Sequence, residues 1–351
     1  MPVGTPTLVP LTIEQFERGE FFGYLWARVE APADLYIGLL PIWYQGRLIC
    51  PGGSFGGFFF SEELRFALKN GYRLLGIEQA WEFQRGENTF RDLIGTLNDM
   101  KVRAQKDGKP VLRNIAKLMM NSMYGRFGMH IEEEITVLTT LEGLNSLIAV
   151  NRVLESKKIG DLYLVSYVPQ APLGEQVVGT REVRPSRPME TNVPIAAAVT
   201  AYSRIIINGY KLDALKAGLQ VYYSDTDSLV INGELPPGLV DPSELGLLKL
   251  EHIILEAYFV APKIYWLKTE EGEVAKCKGY PGNLTREQIE TLYRGEGLDL
   301  QVTRWVRSLP DQTVETRLNV PYHIAPLFNK RQKVYDPQGN WVDTRPLILG
   351  K

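Results

Sequence analysis

Cysteine is scarce in this chain: Cys50 and Cys277 are the only two in 351 residues. They share no ligand spacing, so neither a disulfide framework nor a Cys-based zinc site is expected. Three histidines, His130, His252 and His323, are too scattered to point to a catalytic imidazole. No apolar run reaches the roughly 18 residues of a membrane-spanning helix, so no membrane partner is expected. The first residues carry neither a secretory nor an Arg-rich targeting pattern. An excess of one charge is also lacking. Lys and Arg number 39 against 41 Asp and Glu, a formal net charge of -2. A wholly basic nucleic-acid binder is thereby excluded, although binding needs only a local basic surface. No internal repeat or low-complexity tract appears. The length suffices for a sizeable core and two or three subdomains.

Against that plain background one segment stands out. Tyr223-Ser224-Asp225-Thr226-Asp227-Ser228 lies between Val221-Tyr222 and Leu229-Val230-Ile231. The pattern predicts strand, tight turn, strand, with two carboxylates at the turn. Carboxylates on rigid backbone are hard oxygen ligands of the kind Mg²⁺ prefers. Such a pair can hold metal ions for in-line phosphoryl transfer. Asp, Thr and Ser are also ordinary turn residues, so a polar hairpin tip explains the segment equally well taken alone.

A second segment runs Lys117-Leu118-Met119-Met120-Asn121-Ser122-Met123-Tyr124-Gly125, with Arg113 one turn earlier. Arg113, Lys117, Asn121 and Tyr124 are spaced at steps of four, four and three, which lines them on one helix face. Two cations there can hold a triphosphate. An aromatic ring beside Gly125 can border a base pair. The plainer alternative is an amphipathic helix with a solvated basic stripe. The neighbouring stripe, Ile115, Leu118 and Met119, is apolar and reads as the packed face, leaving the polar face for a ligand.

Elsewhere the chain reads coarsely. Strands are expected over 20–30 and 35–50. Gly52-Gly53-Ser54-Phe55-Gly56-Gly57 reads as flexible punctuation, a weak phosphate loop because no Lys-Ser/Thr comes after it. Ser61 starts a helix with Glu62 and Glu63 in its first turn, where the helix dipole favours anions. A strand is expected through Trp81-Glu82-Phe83. Two helices flank the turn Lys106-Asp107-Gly108-Lys109-Pro110. Strand-like pieces lie around 160–168, and a Pro/Arg run extends from Arg181 to Pro188. An Ala-rich helix is expected over 192–217. Strands are expected from Lys249 to Phe259 and from Lys263 to Lys268, then a helix with short basic strands over 285–351.

Together the motifs resemble those of family B DNA polymerases, in particular the organellar, plasmid and viral branch that is often protein-primed. The K-x-x-x-N-S-x-Y-G helix is similar to the family's fingers motif B, and Y-x-D-T-D-S to its palm motif C. Thr191 through Arg204 resembles the long palm helix before motif C. Pro262-Lys263-Ile264-Tyr265 resembles the K-x-Y motif, and Lys276-Cys277-Lys278-Gly279 the K-x-K-G stretch after it. Lys330-Arg331 through Asp343-Thr344-Arg345-Pro346-Leu347 is similar to the end of that branch. The resemblance covers nearly the whole chain.

It implies an α+β polymerase right hand with an antiparallel palm sheet, helical fingers and a small thumb. The implied boundaries are a palm part over 1–88, fingers over 89–130, an insertion-like region over 131–190, palm over 191–284 and thumb over 285–351. The implied activity is template-directed DNA synthesis, with deoxynucleoside triphosphates and primer-template DNA as partners. The implied cofactor is a pair of Mg²⁺ ions, with Mn²⁺ as a substitute. Asp225 and Asp227 would be the catalytic metal ligands, Asp227 the more direct. Lys117, Arg113 and Lys106 would contact phosphates, with Arg103 near the same tip. Asn121, Tyr124 and Gly125 would shape the base-pair pocket, and Lys263 and Tyr265 would hold the primer strand. Thr226 and Ser228 are assigned to turn geometry.

The family's third motif, D-x-x-S-L-Y-P, has no counterpart here. Asp34-Leu35-Tyr36 with Pro41, and Asp161-Leu162-Tyr163 with Ser166-Tyr167-Val168-Pro169, lack its pattern and are expected to be strand segments. Met1-Pro2-Val3-Gly4 resembles the stretch shortly after that motif in the family. The expectation is therefore a carboxyl-terminal polymerase part without the exonuclease domain. Its partners would include a separate polypeptide carrying both, or a terminal protein as primer. The alternative is a non-catalytic DNA- or nucleotide-binding remnant, or one subunit of a split polymerase. The compartment stays open between a host cytoplasm and a mitochondrion.

Overall fold

The computed structural model describes residues 1–129, 135–169, 191–242, 244–308 and 313–350. The chain divides into two units: Met1–Val3 with Gly86–Val199, and Gly4–Arg85 with Thr200–Lys351. The expected α+β class is what the structure shows, with helices set among several antiparallel sheets.

The second unit is centred on strand Gly23–Glu30, where Leu25, Ala27 and Val29 are fully buried while Trp26 and Arg28 point outward. This period of two is that of a sheet with one covered face. The strand pairs antiparallel with Gly52–Phe60 on one side and Arg73–Arg85 on the other. Pro2–Leu8 and the parallel strand Ile348–Leu349 complete a five-stranded sheet. Phe16, Phe21, Leu39, Leu40, Phe59, Leu64 and Tyr72 fill its covered side.

Three local expectations are corrected here. Gly52–Gly57 is part of the strand Gly52–Phe60, not flexible punctuation. Gly53 has φ +79°, and a Cβ there would collide with the Leu349 carbonyl, so glycine serves a close strand approach. Asp34-Leu35-Tyr36 lies in turn and bend, and the strand expected over 35–50 shrinks to Ile42–Tyr44 and Arg47–Ile49. The Lys249 strand begins later, at Ile254.

A second core joins the antiparallel strands Ile254–Ala261, Ile264–Thr269 and Gly272–Cys277 to helix Arg286–Tyr293. Trp266, Ile289 and Leu292 are its buried centre. A reciprocal capping box between Thr285 and Gln288 starts the helix. Leu298–Ser308 and Thr313–Ile324 then form a long antiparallel pair, and the short strands expected after the helix are Arg331–Tyr335, Trp341–Pro346 and Ile348–Leu349.

In the first unit, Arg91–Lys106 and Pro110–Phe127 are antiparallel helices joined at Asp107-Gly108-Lys109. Gly108 takes φ +65°, and Pro110 opens the second helix, where its missing N–H costs nothing. Leu97 and Ala104 are the buried residues of the first helix and Ala116 that of the second. Ile115, Leu118 and Met119 are exposed, so the stripe expected to be the packed face is not. Ile135–Thr139, Leu162–Pro169 and Asn151–Ile159 form a sheet in that order. The strand reading around Asp161–Pro169 thus stands, whereas the Arg181–Pro188 run lies outside the described residues.

The helix expected over 192–217 spans Val193–Lys216. From it, Arg204 reaches the carboxylate of Glu63 with both forks, Nε at 2.5 Å and Nη2 at 2.8 Å. Glu63 is only 3% exposed, so its role goes beyond complementing a helix dipole. Burial raises its pKa, and Arg204 opposes that rise. Ser61 does not cap the helix; its hydroxyl accepts the Gly23 N–H instead. Removing one partner of a buried pair strands a charge, so Arg204→Met should cost about 3 kcal/mol in urea unfolding. Adding Glu63→Met should recover most of that loss. Equal losses in the single and double variants would show that packing around Arg204, not charge, carries its contribution.

Candidate polymerase site

The Asp225–Asp227 motif folds as expected. Val221–Asp225 and Ser228–Ile231 pair antiparallel, with Asp225 opposite Ser228 and a two-residue loop between. Thr226 holds φ +52°, a conformation that β-branched residues rarely adopt. Three hydrogen bonds hold it there. The Asp227 N–H donates to the Asp225 carbonyl at 2.6 Å, and the Ser228 hydroxyl to the same carbonyl at 3.0 Å. The Thr226 hydroxyl donates to Asp225 Oδ1 at 3.2 Å.

Behind the hairpin, Tyr223 stacks on Phe259 at 5.1 Å and tilts against Tyr265 at 5.2 Å. Its hydroxyl accepts the Lys263 N–H at 2.9 Å. Lys263 is in the turn between Ile254–Ala261 and Ile264–Thr269, with φ +66°, and its carbonyl accepts the Lys278 N–H at 3.1 Å. Its ammonium lies 2.5 Å from Asp225 Oδ2. That hydrogen bond raises the Lys263 pKa, whereas burial is the main cause raising those of Tyr223 and Tyr265. The structure therefore brings together Asp225, Lys263 and Tyr265, which are distant in the chain. The Asp227 carboxylate accepts no hydrogen bond or ion pair from the described residues.

The second cluster is described within its own unit. Lys117, Asn121, Tyr124 and Gly125 are exposed along helix Pro110–Phe127, with Arg113 partly covered. Arg113 Nε donates to Gln105 Oε1 at 3.3 Å, which ties the two helices together. Lys106 ends the first helix, and it and Arg103 are exposed. One cation was missed. Burial, then the charges of Arg113 and Lys117, lower the Lys101 pKa. No acid pairs with Lys101, Arg113 or Lys117 among the described residues. A signal for Lys101 existed: one turn back from Gln105 faces one turn forward from Arg113 in an antiparallel pair.

Residues 1–211 match the family model described as DNA polymerase type B, organellar and viral. The chain belongs to that family. A probable DNA polymerase of Podospora anserina is 35% identical over 93% of the chain, and one of Ascobolus immersus 31% identical over 99%. The chain spans 29% and 28% of the lengths of these relatives. A solved structure of phi29 DNA polymerase, complexed with primer-template DNA and incoming nucleotide substrates, shares the fold at TM-score 0.59 and 17% identity. The match covers 94% of this chain and 54% of that one. A second phi29 polymerase structure, with primer-template DNA alone, matches at TM-score 0.57.

The strained loop gives a local test. Asn tolerates a left-handed conformation that Thr does not, so Thr226→Asn should raise stability by about 1 kcal/mol in urea unfolding. A loss of stability would mean that the Thr226 hydroxyl bond to Asp225 outweighs the backbone strain.

Proposed function

We propose that this chain is the catalytic carboxyl-terminal part of a DNA-directed DNA polymerase that extends a primer 3′-hydroxyl with deoxynucleoside triphosphates. The observation that carries the reading is the Asp225-Thr226-Asp227 turn, with one carboxylate lacking any protein partner among the described residues. Family membership supports it. The phi29 structures that share the fold hold primer-template DNA and, in one, incoming nucleotides, which supports the same two partners here.

The donor set suits magnesium. Two carboxylates are hard oxygen ligands, and among the described residues no group of three or more His, Cys, Asp or Glu forms a closed cage. Mg²⁺ keeps several waters and takes one or two carboxylates plus substrate phosphates, whereas structural zinc needs four N or S ligands. When bound, Mg²⁺ neutralises phosphate charge and lowers the pKa of the attacking hydroxyl.

The protein's own residues do the rest. Asp225 and Asp227 hold the cation position on a turn fixed by three hydrogen bonds. Lys117, Arg113, Lys106 and the newly found Lys101 offer unpaired positive charge to a triphosphate tail. Asn121, Tyr124 and Gly125 present an amide, a ring and a bare backbone to a base pair, which checks shape while pairing reads sequence. Lys263 and Tyr265 hold the primer strand. In this reading 89–130 are fingers, 191–284 palm and 285–351 thumb, and a terminal protein is a candidate primer.

A second reading, a part that binds DNA without extending primers, is favoured by one observation. No third carboxylate joins Asp225 and Asp227 among the described residues. Primer extension by the purified chain with Mg²⁺ separates the two. Asp227→Asn should lower the rate at least about a hundredfold while duplex binding persists. Lys117→Ala should raise the KM for nucleotide about ten- to a hundredfold, the size of a hydrogen bond to a charged group. Duplex binding with no extension by the unsubstituted chain would favour the second reading.

A further inference from the structure

Asp225 and Lys263 are each given two incompatible tasks in the polymerase reading, and the structure shows how the conflict is arranged. The pair sits at the solvent edge, with the Lys263 side chain 44% exposed and that of Asp225 32% exposed. The ammonium occupies Oδ2 at 2.5 Å, and the Thr226 hydroxyl donates to Oδ1 at 3.2 Å. Both oxygens of Asp225 are therefore engaged, while those of Asp227 are not. A divalent cation on Asp225 would compete with the ammonium for Oδ2 and would meet a like charge beside it.

The main chain of Lys263 cannot withdraw to relieve this. Its N–H is held by the Tyr223 hydroxyl, its carbonyl by the Lys278 N–H, and its φ of +66° persists only because the surroundings impose it. Only the flexible side chain can move. A phosphodiester backbone is the alternative anion that could draw it off.

The geometry points to Lys263 as an exchangeable counter-ion, closed on Asp225 in the free protein and transferred to the primer backbone when DNA binds. This inference rests on the polymerase reading and adds a coupling to it. Primer-template and divalent cation should each strengthen the binding of the other, by the same factor. In the free protein, Asp227 would be the main cation anchor.

Mn²⁺ serves as the probe, with free Mn²⁺ followed by electron paramagnetic resonance against the 351-residue chain without DNA. Lys263→Met should bind Mn²⁺ about tenfold more tightly than the unsubstituted protein. Lys263→Arg keeps the charge and should keep the weaker affinity. Fluorescence anisotropy of a labelled primer-template at fixed ionic strength gives the reciprocal reading. Mn²⁺ should raise duplex affinity for the unsubstituted protein and for Lys263→Arg, and far less for Lys263→Met. Matching thermal melts exclude misfolding as the cause. Unchanged Mn²⁺ affinity in Lys263→Met, tightening in Lys263→Arg, or equal coupling in all three would overturn the exchange. If Asp227→Asn abolishes Mn²⁺ binding in such a case, the exchange alone falls. If neither Asp225→Asn nor Asp227→Asn affects Mn²⁺ binding, the polymerase reading falls with it.

Discussion

Of the two carboxylates on one turn, only that of Asp225 is met by an ammonium, and the site is organised around that shortage. Asp225 is satisfied by Lys263 and by the Thr226 hydroxyl, whereas Asp227 has no protein partner among the described residues. Desolvating such an arrangement would be expensive, so it belongs at a partly open surface where water or a cation completes it. The turn does not relax to spread the charges. Thr226 is held at positive φ, and Tyr223, wedged between Phe259 and Tyr265, fixes the backbone from which Lys263 projects.

The remainder of this unit gives the hairpin a stiff support. The five-stranded sheet buries the alternate residues Leu25, Ala27 and Val29. The Glu63–Arg204 pair ties helix Ser61–Lys69 to the helix that leads into Val221. The three-stranded sheet around Trp266 carries the Lys263 turn, and its own helix is started by the reciprocal Thr285–Gln288 cap. The helix pair of the other unit solves a different problem. It keeps three mutually repelling cations, Lys101, Arg113 and Lys117, near one another with no acid to quench them among the described residues. Unpaired like charges are a cost in a free protein and an asset toward a polyanion.

Much of this was legible from residue patterns. The hairpin could be read from two β-branched and aromatic runs around a polar turn, and the helix pair from Gly108 and Pro110. The long helix was placed within a residue at each end because its apolar and Ala-rich run is unbroken. What escaped depended on distant partners. Gly52–Gly57 has loop composition, yet pairing with Gly23–Glu30 overrides local preference. Glu63 looked like a dipole-complementing residue because its partner lies 141 residues away. The exposure of Ile115, Leu118 and Met119 could not be read from periodicity, since Ala116 is the buried residue of that helix. The left-handed turn at Lys263 has no sequence signal at all, as lysine is a poor residue for it.

Every role proposed for the site depends on the Asp225–Asp227 turn being a divalent-cation position. Fe²⁺ in place of Mg²⁺, with ascorbate and peroxide, generates short-lived radicals that cut the backbone beside a bound metal. Mapping the cuts by mass spectrometry reads the position directly. Cleavage is expected at 225–228 and near 263, lost when Mg²⁺ competes or when Asp227 is replaced by Asn. Cuts confined to other parts of the chain, or cuts at the turn that persist without the Asp227 carboxylate, would show that the cation is held elsewhere.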